Sequence, residues 1–218
     1  MSQRRSTGRK RRRGQESSVE KWKNKNWLDI KTPEYIDDKV LGETPASDLD
    51  QVLGRTVKIS LMDLTGSFKD LNYQLTFKIS EVAGRVAKTE FHEQELSRDF
   101  RRSQIRNHRS QVEGIFNLKL NDDSKIRLKT FVVTPMRIHT TTKKEIRAVM
   151  KAKLEEIVEE LSFPAFVNKL ISYEITKELQ PVVEEVFPVK IIEVSKVKVI
   201  RLPGNVSPVV LPESVKAS

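Results

Sequence analysis

The chain contains no cysteine, which excludes a disulfide scaffold, a thiolate metal site and a cysteine nucleophile together. Glycine is scarce, with eight in 218 residues, and none falls in a P-loop, a dinucleotide fingerprint or a Gly-x-Ser-x-Gly elbow. Aromatic residues make up 6%, and no strand candidate carries the aromatic pattern on which an RNP-type sheet stacks bases. No window holds the roughly 18 consecutive apolar residues of a membrane-spanning helix. The start of the chain is positive but has no apolar stretch behind it, so it does not read as a secretory signal.

Catalytic and metal-binding patterns are equally sparse. His92, His108 and His139 are too far apart for two of them to share a helix face as metal ligands. His92, next to Phe91, reads as a packed or hydrogen-bonded residue at a strand end. Glu155, Glu156, Glu159 and Glu160 read as the solvated face of a helix rather than as paired catalytic carboxylates. The expectation is a non-enzyme with no cofactor, no metal, no small-molecule substrate and no membrane partner.

What the sequence has is positive charge, unevenly placed. Lys and Arg total 40 against 30 Asp and Glu, a formal net charge of +10, with hydrophobic residues at 37% and charged residues at 32%. Counting along the chain puts +8 in residues 1–25, −5 in 26–96, +8 in 97–147 and −1 in 148–218. Two basic segments therefore ride on a slightly acidic body. Such concentration raises self-repulsion unless a polyanion relieves it. Nucleic-acid phosphates do so by releasing their condensed counterions.

The first basic segment holds Arg4, Arg5, Arg9, Lys10, Arg11, Arg12, Arg13, Lys21, Lys23 and Lys25, with Val19 and Trp22 as its only large or branched apolar residues. It cannot bury enough apolar surface to offset its ordering entropy, so residues 1–26 read as an arm that is disordered on its own. The second holds Arg98, Arg101, Arg102, Arg106 and Arg109, whose three- and four-residue spacings put them largely on one face of a helix. All five are arginine, the side chain suited to bidentate phosphate contact. Lys143, Lys144 and Arg147 open a later helix, where cations cost roughly a few tenths of a kcal/mol each unless an anion is bound there.

Between the basic segments the pattern is that of strands. Tyr73, Leu75, Phe77 and Ile79 alternate with polar residues, the signature of a strand with one buried face. Val57–Leu61, 86–91, Ile115–Leu120, Ile126–Val133 and Met136–Thr140 add five more candidates, with Asn121–Ser124 as a hairpin loop. Six candidates before residue 141 indicate a sheet or barrel, mostly antiparallel. Thr141 or Thr142 is expected to cap a helix whose apolar positions run from Ile146 to Leu161. A second helix is expected within 165–186, broken near Ser172 and Pro181, and a late strand over Val189–Leu202. The fold class is α+β, divided as arm 1–26, body 27–202 (β-rich to residue 140, then helices and the last strand) and tail 203–218.

The residues also carry a resemblance. Trp27 to Pro33 (WLDIKTP), Gly54 to Leu64 (GRTVKISLMDL), Thr89-Glu90-Phe91-His92, Leu96-Ser97-Arg98-Asp99 and Ile146-Arg147 resemble, in order and spacing, the archaeal and eukaryotic small-subunit ribosomal protein family S3Ae. The likeness spans Trp27 to Leu202. Leu28 and Glu93 depart from the eukaryotic pattern of tyrosine and glycine, and the short stretch after the last strand candidate resembles archaeal members. The resemblance implies a barrel-like β body with packed helices. It implies a structural constituent of the small subunit, on the platform near the messenger exit, cytoplasmic and ribosome-bound. Its partners would be ribosomal RNA, neighbouring platform proteins and messenger RNA near the exit. The alternatives are a free RNA-binding translation factor that visits the ribosome transiently, and a partner-binding module whose arm is only a targeting signal.

Overall fold

A computed structural model describes residues 25–202. The expected arm, apart from Lys25 and Asn26, and the expected tail lie outside the described residues.

Strong period-two alternation becomes strand where it was expected. Strands β1 (Asn26–Lys31), β2 (Val40–Ala46) and β3 (Thr56–Ser60) come first. A single-turn helix α1 (Leu61–Thr65) follows, with Ser60 Oγ accepting from Met62 N, and Gly66 closes it at a positive φ of 72°. Strands β4 (Tyr73–Ala83) and β5 (Val86–Leu96) form a long antiparallel hairpin. A short helix α2 (Arg98–Gln104) leads to the hairpin β6 (Ser110–Lys119) and β7 (Lys125–Thr134). Helices α3 (Thr140–Glu159), α4 (Phe163–Ile171) and α5 (Glu174–Val186) precede the last strand, β8 (Ile191–Arg201).

Strand β5 organises the sheet. One edge pairs with β4 along its length; the other is shared end to end between two partners. Val86–Lys88 pair with β1 in parallel, and Glu93–Glu95 pair with β8 antiparallel. Beyond β8 the order runs to β7 and β6, and beyond β1 to β2. The eight strands are thus mostly antiparallel and branched at β5, and β2, β3 and β6 are edges among the described residues.

The main core lies between this sheet and the helices. Ile146, Met150, Leu154 and Val158 recur every four residues and bury one face of α3, with Phe163, Phe166, Val167 and Leu170 from α4 and Ile175, Leu179 and Val183 from α5. Asp122 Oδ2, in the β6–β7 loop, accepts from Phe163 N at 2.8 Å, so the hairpin caps α4 from a distance. Leu28, Ile30, Ala46, Val52, Ile79 and Ala87 make a smaller second core under β1 and β2.

One strand pair lies outside the expectations, and four expectations are corrected. The β1–β2 pair is not among the expected strands: both are short, β2 carries Gly42 and Pro45, β1 has only Leu28 and Ile30 buried, and the pairing of β1 with β5 is nonlocal. Met136–Thr140 is not a strand. After Pro135 the segment is tied by Thr134 Oγ1 donating to Met136 O and Ile138 N donating to Ser110 Oγ, and Thr140 already begins α3. The cap of α3 is His139, without a side-chain bond, and not Thr141 or Thr142. Leu61 belongs to α1 rather than to β3. Pro181 does not break α5; the ring is exposed, where water can satisfy the carbonyl freed by its missing N–H. The expected break near Ser172 does occur, through Tyr173 at a φ of 59°.

Candidate nucleic-acid interface

Of the anticipated basic residues, Arg4, Arg5, Arg9, Lys10, Arg11, Arg12, Arg13, Lys21 and Lys23 lie outside the described residues. Lys25 immediately precedes β1.

The five arginines of 97–109 do not share one helix. Arg98, Arg101 and Arg102 sit on α2, which stops at Gln104 with Ile105 already extended. Arg106 and Arg109 belong to a turn in which Arg109 N donates to Arg106 O and His108 takes a φ of 64°. Asn and His tolerate that left-handed region better than most residues, so Asn107-His108 is a stop signal stronger than the arginine spacing. Arg98, Arg102 and Arg106 are exposed, whereas Arg101 and Arg109 are half-buried. Arg101 Nη1 donates to Ser195 Oγ at 3.3 Å, and Arg109 Nη1 donates to Gln104 O at 3.3 Å. These two arginines hold the segment in place and the other three project from it.

The second cluster divides the same way. Arg147 Nε donates to Glu113 O at 2.8 Å, fastening α3 to β6. Lys143 is half-buried and Lys144 exposed, both near the start of α3, whose first turn carries no acidic residue.

Ion pairing separates the two cation types. Among the described residues every ion pair uses a lysine, and no arginine has a carboxylate oxygen within 4.0 Å. A carboxylate partner would compete with phosphate for the guanidinium fork, so unpaired arginines remain available for an external anion. The acidic run of α3 is solvated as expected: Glu155, Glu156, Glu159 and Glu160 are exposed, with Lys151 pairing Glu155 and Lys153 pairing Glu156.

One group of cations was missed. Lys125, Arg127, Lys198 and Arg201 share the outer face of β7 and β8, and all four are exposed. The signal was present as basic residues at i, i+2 spacing in β7 and at i, i+3 spacing in β8, where a bulge brings Arg201 opposite Lys125. Their juxtaposition depended on the β7–β8 register, which adjacent residues do not encode. His92 lies nearby, at the bulge where β5 slips against β4. Burial first, then the charge of Lys198, depress its pKa below the usual imidazole value, with Lys78 adding and Glu93 opposing.

A buried polar group sits on the helix side of the same sheet. Tyr73 Oη donates to Glu193 Oε2 at 2.5 Å, and Tyr173 Oη donates to Asp70 Oδ1 at 2.6 Å. The two tyrosine rings stand 5.1 Å apart. Burial pushes the Glu193 carboxyl above its ordinary value, and the Tyr73 hydroxyl bond only partly counters this. Both phenols are pushed up by burial, and next by the neighbouring Glu193 charge for Tyr73 and the Asp70 bond for Tyr173. Neutral phenols of this kind donate and do not titrate in the physiological range. The group is a structural brace between β4, β8 and the start of α5.

No helix among the described residues is long and apolar enough to cross a membrane.

Comparison with known proteins agrees with the residues quoted above. The family model described as the Ribosomal S3Ae family matches residues 13–203. Among curated relatives, the small ribosomal subunit protein eS1 of Saccharolobus solfataricus is 34% identical over 198 residues, covering 91% of this chain and 95% of that protein. The proteins of the same name from Methanobrevibacter smithii and Desulfurococcus amylolyticus are 35% and 32% identical. Those alignments cover 82% and 87% of this chain, and 93% and 89% of the relatives.

Proposed function

The chain belongs to the ribosomal S3Ae family, and on that premise we propose that it is a structural constituent of the small ribosomal subunit that binds ribosomal RNA. The family is one of structural components rather than enzymes. The proposed site is on the subunit platform near the messenger exit, in a ribosome-bound, cytoplasmic protein whose neighbours are RNA and platform proteins.

The observation that carries the RNA-binding reading is that, among the described residues, nine lysines pair with carboxylates while no arginine does. In this reading the arm, residues 1–26, threads between RNA segments while α2 and the start of α3 dock the body. Arg98, Arg102, Arg106, Lys143 and Lys144 meet phosphates, and Arg101, Arg109 and Arg147 hold their elements in register. The body, 27–202, supplies the rigid frame.

Sedimentation of a native lysate through sucrose at moderate and high salt tests this reading. The chain should travel with the small subunit in one-to-one amount and survive the wash. Release at modest salt would instead mark a transient RNA-binding factor. Deleting residues 1–25 should lower the slope of log affinity against log salt by about 6, the value for roughly eight phosphates.

A further inference from the structure

Deepening that reading, and resting on it, we propose that the outer face of β7 and β8 is a second RNA-docking surface, separate from the arm and from α2. Lys125, Arg127, Lys198 and Arg201 would take the phosphate backbone of a folded RNA segment.

The argument begins with register. Lys125 stands directly opposite Arg201, and Arg127 directly opposite Lys198. Lys129 faces Lys196 in the next row, and Lys119 faces Lys125 from β6. Like charges directly opposite across a sheet are destabilising, so three successive rows of cations need an explanation other than folding. Carboxylates relieve part of the face. Lys119 pairs with Asp123, Lys129 with Glu113 at 3.8 Å, and Lys196 with Glu93 and Glu95 at 2.6 and 3.6 Å. The other four have no carboxylate within 4.0 Å among the described residues. They form a contiguous two-by-two array, spaced about 7 Å along β7 and about 5 Å between strands, with a bulge at Ile200 bringing Arg201 into line with Lys125.

The array is aimed as well as unpaired. Arg127 Nε donates to Asn117 Oδ1 at 3.0 Å, which holds the stem and leaves both terminal amino groups of the fork free. The face carries no exposed aromatic side chain, so it suits backbone contact rather than base stacking. Its potential is felt by its neighbours. After burial, Lys198 is the strongest influence depressing the His92 pKa, and Arg201 and Lys125 add to the lowering of the Asp123 pKa, which its bond to Lys119 dominates. Midway along β8, Arg101 fastens α2 at Ser195, one residue before Lys196. The sheet face and the projecting arginines of α2 therefore lie along one strand.

The test is a full-length variant with Lys125→Gln, Arg127→Gln, Lys198→Gln and Arg201→Gln. It is compared with an equally discharged control carrying Lys58→Gln, Lys69→Gln, Lys177→Gln and Lys190→Gln, four exposed lysines without ion pairs. Binding to small-subunit ribosomal RNA is measured across a salt series. The sheet variant should lose at least about tenfold in affinity at moderate salt, and its salt slope should fall by about 3. The control should keep the wild-type slope. The sheet variant should also melt no lower than wild type, because its substitutions remove repulsion; this separates lost binding from lost folding. Equal slopes for the two variants would overturn the proposal and leave the RNA-binding reading intact. A sheet variant that binds RNA normally yet fails to enter subunits would overturn it too, assigning the face to an acidic protein neighbour. Wild-type protein with no salt-dependent RNA affinity would remove the broader reading itself.

Discussion

Arg101 reaches across the molecule to Ser195: its Nη1 donates to Ser195 Oγ at 3.3 Å, between residues 94 apart in the chain, while its Nε is buried without a partner. This contact seats α2 on β8. It also sets Arg101 apart from Arg98 and Arg102, which project from the same short helix.

That division gives opposite expectations for neighbouring arginines. Arg101→Ala should lower the melting temperature and weaken RNA binding together, because the platform for the other arginines is lost. The double variant Arg98→Gln, Arg102→Gln should leave melting unchanged and lower the salt slope by about 2. Arg101→Lys should not rescue, since an ammonium lacks the fork that reaches Ser195 from a buried stem. Thermal melts paired with filter binding check all three, and a melt of Arg98→Gln, Arg102→Gln as low as that of Arg101→Ala would refute the division.

Much of this architecture is written locally. The β4–β5 and β6–β7 hairpins and the apolar stripe of α3 follow from periods of two and of four residues that any register must respect. Where the sequence misleads, a nonlocal contact or a competing local signal is responsible. Arg106 and Arg109 keep helical spacing, yet the extended Ile105 and the positive φ of His108 end the helix first. β1 has only Leu28 and Ile30 to declare itself, and it is stabilised by β2, β5 and the small core they share. The arginine clusters were legible as residue types. Which arginines anchor and which project was not, because that depends on Ser195 and on the carbonyls of Glu113 and Gln104.

Gly114 gives a prediction about packing alone. It lies buried in β6, opposite Thr130. A Cβ there would meet the Phe116 ring at 2.5 Å and Thr130 Oγ1 at 2.9 Å. The Phe116 ring therefore occupies the space that any other residue's side chain would need. Gly114→Ala should destabilise by about 1–3 kcal/mol through overpacking. Pairing it with Phe116→Leu should recover part of that loss. Chemical denaturation of the three variants measures the coupling, and strict additivity would show that the ring is not the obstacle.

Glu193 makes stability depend on pH in a definite direction. Its folded pKa is raised by burial, while in the unfolded chain the carboxyl releases its proton near 4.5. The stability linked to this group is therefore fully present below that value and is lost as pH rises through the folded pKa. Glu193→Gln removes the titration but keeps an acceptor for Tyr73. Its stability relative to wild type should rise between pH 4.5 and neutrality, and parallel curves would sink the idea. Tyr73→Phe should act oppositely, costing about 1–3 kcal/mol by leaving a buried carboxylate without its donor and pushing the Glu193 pKa higher still.

His92 offers a reporter for the sheet face in solution. Its pKa is held below the usual 6.5 by burial and by Lys198 and Lys78, with Glu93 opposing. The unfolded chain thus takes up this proton first as pH falls. The stability linked to His92 is present above 6.5 and is lost as pH drops through the folded value. Lys198→Gln removes one repelling charge, so the imidazole pKa should move up towards its ordinary value without reaching it, since burial remains. Phosphates bound at Lys198 would cancel the same charge without any mutation. Adding a short RNA hairpin to the wild-type protein should therefore raise the His92 pKa, followed through its ring proton by NMR. The same addition should move it much less in the variant discharged at Lys125, Arg127, Lys198 and Arg201. An RNA that binds tightly yet leaves the His92 titration unmoved in the wild-type protein must be bound elsewhere, on the arm or on α2.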